Sequence, residues 1–261
     1  YLFRMTFGKE FLGRIGTITA WAGIVMQAAA LIWRWKESYD LGIGHIPLSN
    51  FYESMIFFAW AIVLFYLVIE RKTQNRTIGT FVVPLAFLIM AYASISPGVS
   101  SAIQPLIPAL QSNWLTSHVV TCFMGYAGFT FAFGCALIYF MKSGKPAGAE
   151  SGQGFLHRLP SADSLDDLIN RTTALGFVFL TIGIMTGSVW AHYAWGSYWS
   201  WDPKETWSLI TWLIYAVMLH SRYVRDWRGR QTAIMSVIGF ASMLFTYLGV
   251  NLLPGLHSYL K

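Results

Sequence analysis

The segment HYAWGSYWSWDPKETW, residues 192–207, combines four tryptophans with an acid–proline–base–acid run. Six of the 12 tryptophans in the chain fall between Trp190 and Trp212. An aromatic belt at a membrane interface accounts for some of them, but a belt spreads its tryptophans over all the helices of a protein. A local excess of large, flat, apolar side chains therefore indicates a platform for a planar ligand.

The charged residues of this segment have two interpretations. Asp202, Pro203 and Glu205 stand where a helix takes its N-cap acid, its first-turn proline and the glutamate of a capping box. Asn50 and Glu53 repeat the same pattern earlier in the chain. Capping predicts a helix that begins after Asp202. In the other interpretation, the same carboxylates take part in a ligand site. Capping explains the acids but leaves the tryptophans unexplained.

Two of the six histidines flank long apolar segments on the side of the tryptophan-rich segment. His118 begins one apolar segment, and His257 follows the last one by six residues. Imidazole nitrogens are common axial ligands of haem iron, and two helices that end on one side can bring imidazoles to both faces of one macrocycle. His45 and His192 lie near the same side, where they could support such a site.

His220 differs from these histidines in its predicted depth. It follows Thr206 by fourteen residues, which places it ~21 Å along a helix from the tryptophan-rich segment. An ionisable side chain at such a position is a functional candidate. It equally fits a last-turn cation at a helix C-terminus. His157 falls in a Gly/Ser/Pro-rich linker, where a solvated side chain is expected.

Composition determines which elements must position these residues. The chain is 55% hydrophobic and only 11% charged, with a mean hydropathy of +0.49. Soluble domains carry about 25% charge, so we predict an all-α, polytopic bundle of about seven transmembrane helices. The predicted segments are residues 14–33, 53–70, 77–96, 118–141, 173–193, 207–224 and 231–251.

The positive charge of the chain is distributed unevenly between its loops. Of the 18 Lys and Arg residues, all fall on one predicted side except Arg34, Lys36, Lys204 and Lys261. The positive-inside rule then places the N-terminus in the cytoplasm and the C-terminus outside. The net charge of +6 is thus explained by membrane topology, and no nucleic-acid partner is expected.

One integral-membrane domain is predicted over residues 1–261, with a cytoplasmic linker at 142–172. Leu165, Leu168 and Ile169 recur at helical spacing there and predict a short interfacial helix. Cys122 and Cys135 are thirteen positions apart on one predicted helix, too far to bridge each other. No Cys-x-x-Cys, phosphate-binding loop or Ser/His/Asp arrangement is present, so any thiol-reducing activity must come from another protein.

Specific motifs resemble those of a known family. WGSYWSWD with PKETW, LSNFYESMIFFAW, LDDLINRTTALGF and the final GLHSY are similar to segments of the CcsA (ResC) family, subunits of the System II cytochrome c synthetase. The similarity runs along essentially the whole chain. The tryptophan-rich segment alone is also shared with the CcmC and CcmF proteins.

The resemblance implies a function and a set of partners. Such proteins act with a CcsB (ResB) subunit to move haem b across the bacterial inner membrane or the thylakoid membrane. They then attach it, as a cytochrome c synthase, to the CxxCH segment of apocytochrome c on the external or lumenal face. Because some members have an eighth helix or a fused CcsB half, we expect a further segment before Tyr1.

Residue roles follow from the same resemblance. His118 and His257 correspond to an external pair that ligates haem iron, and His220 to an inner histidine that receives haem beside a CcsB histidine. The haem-binding segment comprises Trp195, Gly196, Trp199, Trp201 and Asp202. Two alternatives are a CcmC-like carrier that delivers haem to a separate ligase and a membrane cytochrome that keeps its haem for electron transfer.

Overall fold

A computed structural model describes residues 1–143 and 158–253, and every regular element in these ranges is helical. The all-α prediction is therefore confirmed. The helices are α1 (Leu2–Phe7), α2 (Glu10–Asp40), α3 (Phe51–Thr73), α4 (Gly79–Ile95), α5 (Asn113–Ser143), α6 (Ala162–Trp195), α7 (Pro203–Val224) and α8 (Arg230–Tyr247), with single 3-10 turns at Pro108–Leu110 and Gly249–Leu252.

The predicted apolar segments coincide with helices α2 to α8. Among the described residues, α2, α3, α5 and α6 are long and apolar enough to cross a membrane, and α4 is a shorter apolar helix. The chain is an integral membrane protein. The number of helices that cross the bilayer and the side on which each terminus lies stay predictions.

Side-chain caps set the helix starts that the sequence predicted. Asn50 and Glu53 form a reciprocal capping box at α3, and Asp202 and Glu205 form a second one at α7. Pro203 occupies the first turn of α7, where its missing N–H costs no hydrogen bond.

The short interfacial helix predicted near Leu165 is wrong. Helix α6 begins at Ala162 and continues without a break to Trp195, so these residues form its first turns. Leu165 and Ile169 are fully buried within the bundle, because the apolar stripe that predicted a lipid contact packs against protein. Residues 144–157 of the predicted linker lie outside the described ranges.

Helices α5 and α6 approach each other along a row of glycines. A Cβ atom on Gly125 would lie 2.9 Å from the carbonyl oxygen of Gly176, and one on Gly128 would lie 3.0 Å from that of Thr172. Small residues at such positions let two membrane helices pack backbone against backbone. The two helices are consequently held in a fixed register over much of their length.

A buried ion pair joins three helices at the end of α6 that lies opposite the tryptophan-rich segment. The guanidinium of Arg222 on α7 donates to Asp166 on α6, at 2.5 Å. The other carboxylate oxygen of Asp166 accepts the backbone N–H of Gly229, at the start of α8. Asp166 therefore fixes the relative positions of α6, α7 and α8 at this end.

We predict that Gly176→Ala destabilises the bundle. The added Cβ would lie 2.8 Å from the Phe129 ring and 2.9 Å from the backbone oxygen of Gly125, which cannot rotate away. Overpacking of this kind costs roughly 1–3 kcal/mol. Thermal unfolding of the detergent-solubilised protein should therefore shift to lower temperature.

Gly23→Ala on α2 is the matched control, since its Cβ would meet no heavy atom within 4 Å. Because alanine favours helix over glycine, its midpoint should equal or exceed that of the wild type. Equal midpoints for the two variants would contradict the close packing of α5 and α6.

Candidate functional site

A cavity of about 230 Å³ lies between α5, α6 and α7, under the tryptophan-rich segment. A single water needs roughly 10–15 Å³ by the same measure, so the space suits a much larger guest. Its walls are mainly apolar, with both aromatic and aliphatic side chains, and they carry several polar groups, as is usual for organic ligand sites. The aromatic lining comprises Phe123, Tyr126, Trp190, Trp195, Tyr198, Trp199 and Tyr247.

The floor of this cavity is built by rings packed edge to face. Tyr247 meets Phe58 and Phe123 with interplanar angles of 83° and 88°. The hydroxyl of Tyr247 lies 2.8 Å from Ser54 Oγ on α3. These contacts fix the rings of three helices, so the floor is preformed and rigid.

His118 lies on the cavity wall, on α5. Its Nδ1 donates to the backbone oxygen of Gly183 on α6, at 2.7 Å. In a neutral imidazole this bond leaves the lone pair on Nε2, as in metal-binding histidines whose other ring nitrogen donates to a backbone or carboxylate oxygen. Trp190 stacks at 6.2 Å and 18°. Since a Cβ on Gly187 would lie 2.4 Å from Nδ1, only glycine leaves room for this ring.

The tryptophan-rich segment is shaped by two left-handed backbone positions. Gly196 ends α6 with φ of 80°, a value that glycine adopts at no steric cost, and Trp201 has φ of 59°. Trp195 and Trp199 lie on the cavity wall. Trp201 is 68% exposed and meets Trp199 edge to face at 5.7 Å. The structure thus brings two of the three predicted tryptophans to the cavity.

The capping box of α7 fixes the tryptophan-rich segment in position beside the cavity. One carboxylate oxygen of Glu205, Oε2, accepts hydrogen bonds from the backbone N–H and hydroxyl of Ser200, at 2.7 and 3.1 Å, and from the N–H of Asp202, at 3.3 Å. Asp202 is buried and accepts from the N–H of Lys204 at 2.9 Å. Asp202 therefore shapes the loop, and Glu205 itself reaches the cavity wall.

Lys204 also lines the cavity, in the first turn of α7 and ahead of the apolar segment of that helix. Burial lowers the pKa of its ammonium group to about 8, while the carboxylate of Asp202 acts in the opposite direction. A positively charged side chain therefore lies in the wall of a largely apolar cavity, next to the carboxylate of Glu205.

The other histidines lie away from the cavity wall or outside the described residues. His220 is exposed on α7 and follows Glu205 by fifteen residues, ~22 Å along the helix. His257 falls outside the described ranges. Both ring nitrogens of His45 lie within 3.1 Å of backbone oxygens, those of Ile46 and Gln104. His192 is exposed and stacks on Tyr198 at 4.2 Å.

Sequence reasoning missed several residues of the cavity wall, among them Cys122, Trp190 and Lys204. Cys122 follows His118 by one helical turn, with its Sγ 3.7 Å from Nδ1, and the i, i+4 spacing could have indicated this contact. Trp190 was noted only as part of the tryptophan excess, and Lys204 only as a charge on the outer side. Their inward direction depends on the register of α6 and α7, which no local pattern reveals.

Fold and site together define a helical membrane protein with a preformed, largely apolar cavity. Residues 48–257 match the family model described as Cytochrome C assembly protein. The chain belongs to this family and takes part in cytochrome c assembly.

Relatives named cytochrome c biogenesis protein CcsA are similar along most of the chain. The protein of Pyropia yezoensis is 38% identical over 95% of this chain and 88% of its own length. That of Synechococcus elongatus is 39% identical over the same shares. That of Chlamydomonas reinhardtii is 42% identical over 88% of this chain and 64% of its own length.

A solved structure, the cytochrome c heme lyase CcmF, superposes with a TM-score of 0.69. The match covers 94% of this chain and 42% of the CcmF chain. At 18% sequence identity, this similarity shows a shared fold.

We predict that Lys204→Met reduces the rise of stability with pH. The folded-state pKa of about 8 lies below the ordinary value of 10.5, so between these values the unfolded chain binds more protons and raising the pH stabilises the folded state. Thermal unfolding in detergent at about pH 7.5 and about pH 9.5 measures this difference. Lys36→Met, at an exposed lysine, should keep the wild-type slope; an equal slope for Lys204→Met would contradict the burial of its ammonium group.

Proposed function

We propose that the chain holds haem b in this cavity, with His118 and His257 as axial ligands, and presents it for attachment to apocytochrome c. The observation that carries the proposal is the hydrogen bond from His118 Nδ1 to Gly183. It assigns the N–H to Nδ1, so that Nε2 carries the lone pair that would coordinate iron, and His118 lies on the cavity wall. Names of the relatives and the cytochrome c assembly family support the same function.

The residues present fit a planar, apolar macrocycle. Trp195 and Trp199 supply indole rings at the cavity wall, and Phe123, Tyr126 and Tyr247 supply the floor. These side chains would bury the apolar area of the macrocycle and exclude water, and His118 would hold its iron. Bound haem supplies two vinyl groups, to which the thiols of a CxxCH segment add as thioethers.

We further propose that the chain works as a cytochrome c synthase in complex with a CcsB-like subunit. His220 is the residue that receives haem at the inner end, beside a histidine of that subunit. Its exposure on α7 supports this role, because a side chain on the outside of the bundle is accessible to a second protein. Attachment then takes place on the external or lumenal face, with a separate protein keeping the apocytochrome thiols reduced.

We predict that His118→Ala and His257→Ala each change the Soret band of the purified chain. Loss of one axial imidazole converts a low-spin bis-histidine haem into a five-coordinate form, so the band should shift or weaken in both variants. Absorption spectra of the detergent-purified protein, produced with its CcsB partner, measure this effect. His192→Ala is the matched control, because His192 is exposed and does not line the cavity.

Haem-free wild-type protein, or unchanged spectra in both variants, would contradict the proposal. Co-production with apocytochrome c distinguishes a cytochrome c synthase from a haem carrier. A synthase yields covalent cytochrome c with only its CcsB partner, whereas a carrier requires a separate ligase.

We predict that Trp195→Ala and Trp199→Ala lower haem retention more than Trp201→Ala does. Both wall residues contact the cavity, whereas Trp201 is 68% exposed. Loss of an aromatic ring from a ligand site typically costs about 1–3 kcal/mol, or roughly five- to 150-fold in affinity. Haem per protein after gel filtration gives the ranking, and equal losses from the three variants would contradict the geometry.

A further inference from the structure

Two capping boxes in this chain share their local construction. At α3, Oε2 of Glu53 accepts from the N–H and hydroxyl of Ser49 and from the N–H of Asn50. At α7, Oε2 of Glu205 accepts the equivalent three bonds from Ser200 and Asp202. Both glutamates are buried. The two sites therefore permit a comparison of their remaining carboxylate oxygens.

The second carboxylate oxygens of Glu53 and Glu205 differ in their hydrogen-bond partners. Oε1 of Glu53 receives the Nε of Arg34 at 2.8 Å. Glu205 is only 9% exposed, and its Oε1 is buried. This oxygen nevertheless has no hydrogen-bond partner among the described residues. Glu205 lies on the cavity wall. A buried acceptor left without a donor is costly, so this oxygen is suited to a donor that arrives with a bound molecule.

The charges around this oxygen indicate which kind of molecule supplies the donor. Asp202 is a second buried carboxylate beside Glu205. Lys204 supplies one positive charge, so the two carboxylates and the lysine together carry a net negative charge. Another carboxylate would be repelled there. An iron porphyrin has all four ring nitrogens bound to the metal, and its ionised carboxylates only accept hydrogen bonds. The donor therefore comes from the second substrate of the proposed reaction.

We propose that Glu205 Oε1 accepts the hydrogen of a cysteine thiol of the incoming CxxCH segment and holds that sulfur in the cavity. This inference rests on the proposed function. Lys204 lines the same cavity, and its positive charge would stabilise the thiolate that forms once Glu205 has taken the proton.

The same contact accounts for the proton in thioether formation. Addition breaks the S–H bond and the vinyl π bond and forms one S–C bond and one C–H bond, with no net oxidation. One proton must leave sulfur and one must reach the second vinyl carbon. Glu205 Oε1 takes the first proton and returns it to that carbon, so its charge is restored after each thioether.

The test is Glu205→Gln in the full chain with its CcsB partner and bound haem. The glutamine oxygen can keep the three capping bonds, and its NH₂ group then replaces Oε1, so an acceptor becomes a donor. A fluorescent CxxCH peptide and its AxxAH counterpart are titrated by anisotropy under reducing conditions, with the Soret band recorded throughout. The wild type should bind the cysteine peptide about tenfold or more tightly, the ratio expected for a hydrogen bond to a charged group.

In Glu205→Gln this preference should fall below about twofold, with the Soret band unchanged. Glu53→Gln makes the same chemical change in the other capping box and should keep the wild-type preference. An undiminished preference in Glu205→Gln would overturn the inference while leaving the proposed function intact. Wild-type protein that binds both peptides equally would overturn it without any variant, whereas wild-type protein without haem would contradict the proposed function itself.

Discussion

The backbone contact between α5 and α6 is the constraint on which the rest of the structure depends. Glycines along both helices let the two backbones approach so closely that a carbonyl oxygen of α6 reaches the imidazole of His118 on α5. With larger residues at Gly183 or Gly187 the helices would separate, and this hydrogen bond would lengthen or break. The same packing thus supports the bundle and selects the tautomer of the candidate ligand.

The tryptophan-rich segment depends on the ends of the two helices that it connects. Gly196 stops α6 in a left-handed conformation, and Asp202 with Glu205 starts α7 six residues later. So short a connection has little freedom, and the three hydrogen bonds to Glu205 reduce it further. Trp195 and Trp199 are consequently held at the cavity before any ligand arrives, which lowers the entropic cost of binding.

Local patterns in the sequence predicted the features that local physics determines. Apolar segments located α2 to α8, and the Asn50–Glu53 and Asp202–Glu205 spacings located two helix starts. Features that depend on how each helix is rotated about its axis could not be predicted from the sequence. The apolar stripe at Leu165 has the same periodicity whether it faces lipid or protein. Trp199 lies on the cavity wall and Trp201 is exposed only because of the backbone turn between them. Cys122 and Lys204 reach the cavity only because α5 and α7 face each other there.

The packing beneath the cavity constrains how a ligand could pass between the two ends of the protein. The ring of Phe129 stacks on Tyr215 at 3.6 Å, and that of Phe133 stacks on Phe240 at 4.1 Å. These stacked rings occupy the space where α5 meets α7 and α8 at these levels. His220 lies on the exposed surface of α7, ~22 Å from Glu205 along the helix. On the proposed function, a path along the outer face of α7 would carry haem from His220 to the cavity without displacing these rings, and a CcsB-like subunit would cover that path.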